Sequence, residues 1–136
     1  MKELEEGVKM TLDFDKIASI TAGGSRVAPV AIQNADTKDV ILVAYCNEQA
    51  LREAIRTRTL VLWSTSRNKL WIKGEESGEK FDLLEARVNC EQNSLLFVVR
   101  PRRGGICHTK NRKAAPRNCF YRRINFDSMT LENLDP

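Results

Sequence analysis

No stretch of the chain approaches the roughly 18 consecutive apolar residues that a membrane-spanning helix needs, so no membrane partner is expected. The charged start, Met1-Lys2-Glu3-Leu4-Glu5-Glu6, lacks the apolar core of a secretory signal, and a cytoplasmic location is expected. No internal repeat, low-complexity tract or linker interrupts the 136 residues. That length and an ordinary hydrophobic share of 42% fit one folded domain over residues 1–136, with its core over about residues 27–123. No acidic residue falls between Arg100 and Arg123, although nine Lys or Arg do, and they carry much of the net charge of +4. Such a stretch is either a solvated basic face or a phosphate site. It holds few aromatics and no nucleic-acid-binding signature, so nucleic acid is not the expected partner.

What the chain does hold is four cysteines and a single histidine. A cytoplasmic chain argues against disulfides, which moves metal binding or catalysis forward. Cys46 ends the apolar run Ile41-Leu42-Val43-Ala44-Tyr45 and reads as a buried thiol acting as a small hydrophobe. Cys90, Cys107 and Cys119 are candidate zinc ligands, since zinc takes thiolates in tetrahedral geometry. A catalytic zinc keeps one position for water and lowers that water's pKa to about 7. The spacing is neither C-x-x-C nor a finger pattern, so by itself it leaves unrelated buried thiols open. His108, beside Cys107, is a candidate zinc ligand or proton carrier; as a lone histidine it also suits a structural role.

Residues 1–25 form an amphipathic lead-in that ends in Gly23-Gly24-Ser25. The pattern then predicts a strand over residues 27–33, a turn, and a returning strand over 40–45. Asn47 is a good N-cap, and Ala50, Leu51, Ala54 and Ile55 recur at helical spacing, so the one well-marked helix covers residues 48–56. Strands are expected over 59–63 and 70–73, with a loop over 74–78. A long strand over 81–91 alternates, with Leu84, Ala86, Val88 and Cys90 on one face and Glu85, Arg87, Asn89 and Glu91 on the other. Residues 95–99 return antiparallel to it, a long loop covers 101–116, and a last strand over 119–124 precedes a weakly structured tail. The expected fold is mainly β with one α-helix.

A second constellation is Trp63-Ser64-Thr65-Ser66-Arg67-Asn68-Lys69-Leu70-Trp71-Ile72-Lys73-Gly74-Glu75-Glu76-Ser77-Gly78. Trp63 and Trp71 offer faces for a base, while Ser64, Ser66, Arg67, Lys73 and the loop Gly74, Glu75, Ser77 and Gly78 offer donors to phosphate. The plainer reading is a hairpin with core tryptophans and a polar turn.

Together these pieces resemble the phosphoribosyl-AMP cyclohydrolases, the third-step enzymes of histidine biosynthesis. That family carries W-S-R-S-R-x-x-L-W-x-K-G-x-T-S-G, then D-C-D-x-D, then C-H-T-G-x-x-S-C-F. Here the second motif is Asn89-Cys90-Glu91-Gln92-Asn93, and the third is Cys107-His108-Thr109 followed by Cys119-Phe120-Tyr121-Arg122. Ala44-Tyr45-Cys46-Asn47-Glu48 is similar to the family's A-Y-M-N-E. The likeness runs in order from about Val27 to Arg123.

The resemblance implies a small barrel-like β domain forming an intertwined homodimer, with active sites at the subunit interface. It implies hydrolytic opening of the adenine ring of phosphoribosyl-AMP at the C6–N1 bond. It implies zinc held by Cys90 of one subunit and Cys107 and Cys119 of the other, and magnesium on the aspartate positions. Those positions are Asn89, Glu91 and Asn93 here, so magnesium binding is expected to be weak or absent. Thr65 and Glu76 replace the family's Arg and Thr, Lys110 replaces its Gly, and five extra residues precede Cys119. These departures leave room for a paralogous zinc hydrolase on another purine-type nucleotide, or for a non-catalytic dimer stapled by zinc.

Overall fold

A computed structural model describes residues 3–10, 12, 16–24, 26–74, 80–102, 109–115 and 117–136. Its centre is a hairpin of β1 (Ala28–Asn34) and β2 (Val40–Cys46), closed by a turn in which the Asn34 side chain accepts from the backbone of Asp36 and Thr37. β5 (Phe81–Val88) and β6 (Leu95–Pro101) form a second antiparallel pair. β6 lies parallel to β1, so the sheet runs β2-β1-β6-β5. Val30, Ile32, Leu42, Ala44, Phe97, Val99, Phe81 and Leu83 line one face and make the core.

α3 (Glu48–Thr57) packs on that core through Ala50 and Ala54, both fully buried and one turn apart. Asn47 caps it: its side-chain oxygen accepts from the Ala50 amide at 2.8 Å. Arg58, at φ 55°, ends it in the left-handed region while its amide donates to the Ala54 carbonyl. The hairpin of β3 (Val61–Ser64) and β4 (Lys69–Ile72) follows and covers the core with Val61 and Leu62.

The expected strand over residues 81–91 stops at Val88. The Asn89 carbonyl accepts from Gln92, and its side-chain oxygen accepts from Asn93 and Ser94, which turns the chain. A bulge between Leu83 and Glu85 also resets the alternation, leaving Leu84 outside the cross-strand pairs. Cys90 therefore sits on an exposed turn rather than on a strand face.

The barrel-like expectation is not met: among the described residues the sheet does not close. Closure needs β2 to pair with β5. Instead the Ile41 carbonyl on the outer edge of β2 takes the Cys119 amide at 2.9 Å. The outer edge of β5 is met by the segment before β3, through a Thr59–Asp82 bridge and bonds of Leu83 to Arg58 and Leu60 to Phe81.

Two short helices join the expected one, α1 (Glu3–Glu6) and α2 (Lys16–Ala22). The tail is not weakly structured. β7 (Arg122–Ile124) pairs with β8 (Leu131–Asn133), and Cys119 lies ahead of that strand. The chain start docks on this hairpin: Leu131 donates to the Val8 carbonyl, the Tyr121 hydroxyl to the Glu5 carbonyl, and Arg122 to the Leu4 carbonyl. Among the described residues no helix is long and apolar enough to cross a membrane.

Candidate active site

An open groove of about 1010 Å³ lies between the start of β1, the N-terminus of α3, the β3–β4 turn and the turn over residues 89–94. Arg26, Asn47, Trp63, Asn68, Gln92 and Leu95 are among the residues that line it. Its position follows from two local devices. The Asn47 cap brings the start of α3 to the sheet, and the Asn89 turn ends β5 and leads into β6, which lies beside β1.

The tryptophans share a hairpin but not a face. Trp63 pairs with Leu70 and Trp71 with Leu62, so side chains at 63 and 71 point to opposite sides. Trp63 lines the groove; Trp71 is half-buried against the core. Trp63 also packs against the core, so the plainer reading of this hairpin describes both tryptophans, and Trp63 is the one that lines the groove as well. Ser64 accepts from the Arg67 amide at 3.2 Å and approaches Ser66 at 3.3 Å, so the polar turn is internally tied. Gly74 is buried at φ 83°, where a side chain would be strained. The Lys73 ammonium lies 5.7 Å from the Phe81 ring centre. Glu75, Ser77 and Gly78 lie outside the described residues, as do Cys107 and His108.

The thiols separate into two kinds. Cys46 is buried, donates to the Asn47 carbonyl at 3.3 Å, and burial pushes its pKa up to about 11, so it is a poor metal ligand at neutral pH. Cys90 and Cys119 are exposed, which suits thiolate donors. That donor chemistry fits zinc. Within one chain, however, the two belong to opposite edges of the sheet. Cys119 hangs on the outer edge of β2 and Cys90 follows β5, with β1 and β6 between those two strands. Two sulfurs on one tetrahedral zinc lie only about 3.8 Å apart.

Asn89, Glu91 and Asn93 are all exposed. The two amides bond to each other, Asn89 Nδ2 donating to Asn93 Oδ1 at 2.7 Å. The set offers one carboxylate, so it does not fit the hard, anionic shell magnesium favours.

Four of the nine basic residues of the stretch pair with acids. Arg100 pairs with Asp36 at 2.9 Å, Arg102 with Asp82 at 2.6 Å and Arg123 with Glu132 at 2.9 Å, while Arg117 is buried against Glu6. Arg100, Arg102 and Arg123 are exposed, as a solvated face requires, whereas Arg117 is buried. The extra residues before Cys119 fold as a tight turn. Asn111 Oδ1 accepts from Lys113 and Ala115, and Asn111 Nδ2 donates to Asp135 at 2.9 Å.

Arg26, Asn68 and Gln92 line the groove without having been singled out in the sequence. Asn68 carried a signal, since its φ of 53° is the left-handed conformation that asparagine tolerates in turns. Arg26 and Gln92 carried none.

The groove is a concave site with an aromatic face and several polar groups, the form that small-molecule sites take. Residues 42–121 match the family model for phosphoribosyl-AMP cyclohydrolase. A relative of that name from Archaeoglobus fulgidus is 38% identical over 120 residues, which cover 88% of this chain and 98% of its own. One from Nitrosopumilus maritimus is 39% identical over 83% of this chain and 93% of its own. One from Caulobacter vibrioides is 43% identical over 88% of this chain and 78% of its own. The chain belongs to the phosphoribosyl-AMP cyclohydrolase family.

Proposed function

We propose that this protein is a zinc-dependent cyclohydrolase that opens the adenine ring of phosphoribosyl-AMP in histidine biosynthesis, as a cytoplasmic homodimer. The reading rests on family membership and on one observation, the placement of Cys90 and Cys119 at opposite edges of one sheet. In a single copy β1 and β6 lie between the strands that carry them. Two copies set edge to edge bring Cys90 of one against Cys107 and Cys119 of the other.

Bound zinc would supply Lewis acidity that makes water nucleophilic near neutral pH. The reaction adds water across C6–N1: oxygen goes to C6, a proton goes to N1, and that bond breaks. The face of Trp63 in the groove supports stacking of the base. Arg67 and Lys73, with the Gly74 loop, are the phosphate side of the site, and His108 carries protons between water and N1. Magnesium has no role in this reading.

The test is turnover of phosphoribosyl-AMP by protein loaded with zinc, followed by chromatography of substrate and product. Turnover that disappears on chelation and returns with zinc is expected. A zinc-loaded dimer that leaves phosphoribosyl-AMP intact would overturn the reading.

A further inference from the structure

Arg26 precedes β1, and the pairing of Ala28 with Cys46 brings it to the start of α3. Extending that antiparallel register outward sets Arg26 opposite Glu48, the first residue of the helix. The charges agree with this placement. The Glu48 carboxyl is held below its ordinary value, first by the hydrogen bond from Arg52 and least by the charge of Arg26. Arg52 holds that carboxylate through Nε at 3.2 Å and Nη2 at 2.8 Å. Arg26 itself is exposed, and its guanidinium bonds to no described residue.

Arg26 is also the one Lys or Arg among the described residues that line the groove, and Glu48 the one acid. The other polar groups there are neutral amides and the Ser94 hydroxyl, set around the Trp63 ring and aliphatic side chains. Arg67 and Lys73 belong to the β3–β4 hairpin and are not among the described lining residues. Phosphoribosyl-AMP carries two phosphate monoesters, one on each ribose, with the purine between them. The hairpin cations can answer one of the two. The other needs a cation of its own, and the groove offers one. A guanidinium presents paired N–H donors that match two phosphate oxygens, and with Glu48 already held by Arg52 this one has them to give.

We propose that Arg26 is a substrate-recognising cation of the groove: its guanidinium binds one phosphate monoester of a nucleotide whose base lies against Trp63. It thereby separates nucleotides from nucleosides. This inference deepens the cyclohydrolase reading and rests on it for the identity of the substrate.

The experiment titrates the full chain by calorimetry with AMP, ribose 5-phosphate and adenosine, and measures KM and kcat for phosphoribosyl-AMP. Arg26→Ala removes the guanidinium, and Arg26→Lys keeps the charge without the paired donors. Arg56→Ala, in the last turn of α3 and off the groove, removes an equal charge elsewhere. In Arg26→Ala the affinity for AMP or for ribose 5-phosphate should fall roughly 10- to 100-fold, the loss of a charged hydrogen-bond pair. Whichever of the two weakens identifies the phosphate that Arg26 holds. Adenosine affinity should stay within about twofold, because it has no phosphate to lose. KM should rise by the same factor as the phosphate affinity falls, with kcat nearly unchanged, as for an interaction made equally in ground and transition states. Arg26→Lys should fall between wild type and Arg26→Ala, and Arg56→Ala should bind as wild type does. An Arg26→Ala protein that binds both phosphate compounds like wild type overturns the assignment, as does one that loses adenosine equally or a wild type that binds neither phosphate compound. A wild type that binds AMP through Arg26 yet leaves phosphoribosyl-AMP intact overturns the proposed reaction and upholds the phosphate contact.

Discussion

Asn89 and Asn93 are bonded side chain to side chain, Nδ2 of the first donating to Oδ1 of the second at 2.7 Å. Asn89 Oδ1 also accepts from the backbone amides of Asn93 and Ser94, both at 2.9 Å. Two ionised carboxylates could not make the first bond, because neither has a proton to donate. In place of a pair that needs a cation between its members, this chain has a pair that holds itself.

The turn over residues 89–94 should thus be indifferent to magnesium. A magnesium titration of wild type should change neither melting temperature nor turnover. The triple change Asn89→Asp, Glu91→Asp, Asn93→Asp should lose about 1 kcal/mol in metal-free buffer and recover it on adding magnesium. A wild type that needs magnesium at micromolar levels refutes this account.

Zinc should be found at about one ion per chain in protein purified without added metal, since three thiolates and one open position fill a catalytic site. Mixing experiments separate shared sites from private ones. Cys90→Ser and Cys119→Ser proteins should each be inactive, yet after mixing and reassociation they should recover about a quarter of wild-type activity, because each mixed dimer retains one intact site of two. Cys107→Ser mixed with Cys119→Ser should recover nothing. Recovery in the second mixture, or none in the first, rules out the shared site.

Cys46 should behave as a protected thiol. Burial raises its pKa from an ordinary 9.0 to about 11, so the folded state keeps a proton that the unfolded chain gives up. Its contribution to stability is complete below pH 9 and is lost as pH rises towards 11. Melting curves should show Cys46→Ala losing less stability than wild type over that interval. At pH 8 a thiol reagent should label Cys90 of the metal-free protein well before Cys46.

Asn47→Ala should cost about 1 kcal/mol through loss of the α3 cap, measured by urea unfolding, and Asn47→Asp should restore most of it. Because Asn47 also lines the groove, the alanine variant should raise KM as well. An unchanged KM would place the substrate elsewhere.

Several parts of the fold were legible because their causes are local. The hairpin of β1 and β2 was written in two apolar runs around turn residues. α3 was written in a capping asparagine and alanines at helical spacing. The exposed thiols and the groove tryptophan were picked out by motif. The end of β5 was misplaced because alternation continues on paper through Asn89, whereas that side chain captures the backbone beyond it. The tail looked weakly structured because three-residue strands carry almost no pattern of their own; β7 and β8 persist through each other and through the chain start.

The sequence by itself determined the family, the mainly β character, the principal helix and which side chains are candidates for chemistry. Those properties reside in residue type and short spacing, which survive without coordinates. Tertiary structure alone decided that β6 pairs in parallel with β1, that the sheet stays open among the described residues, and that Trp63 and Trp71 face apart. It alone placed Cys90 and Cys119 on opposite edges and brought Glu6, Thr109, Arg117, Tyr121 and Asp135 to one point. The physical reason is the range of the contacts. Periodicity records which face of a segment is apolar, but not which distant segment covers it. That choice is made by competition among pairings more than a hundred residues apart, as between Glu6 and Arg117.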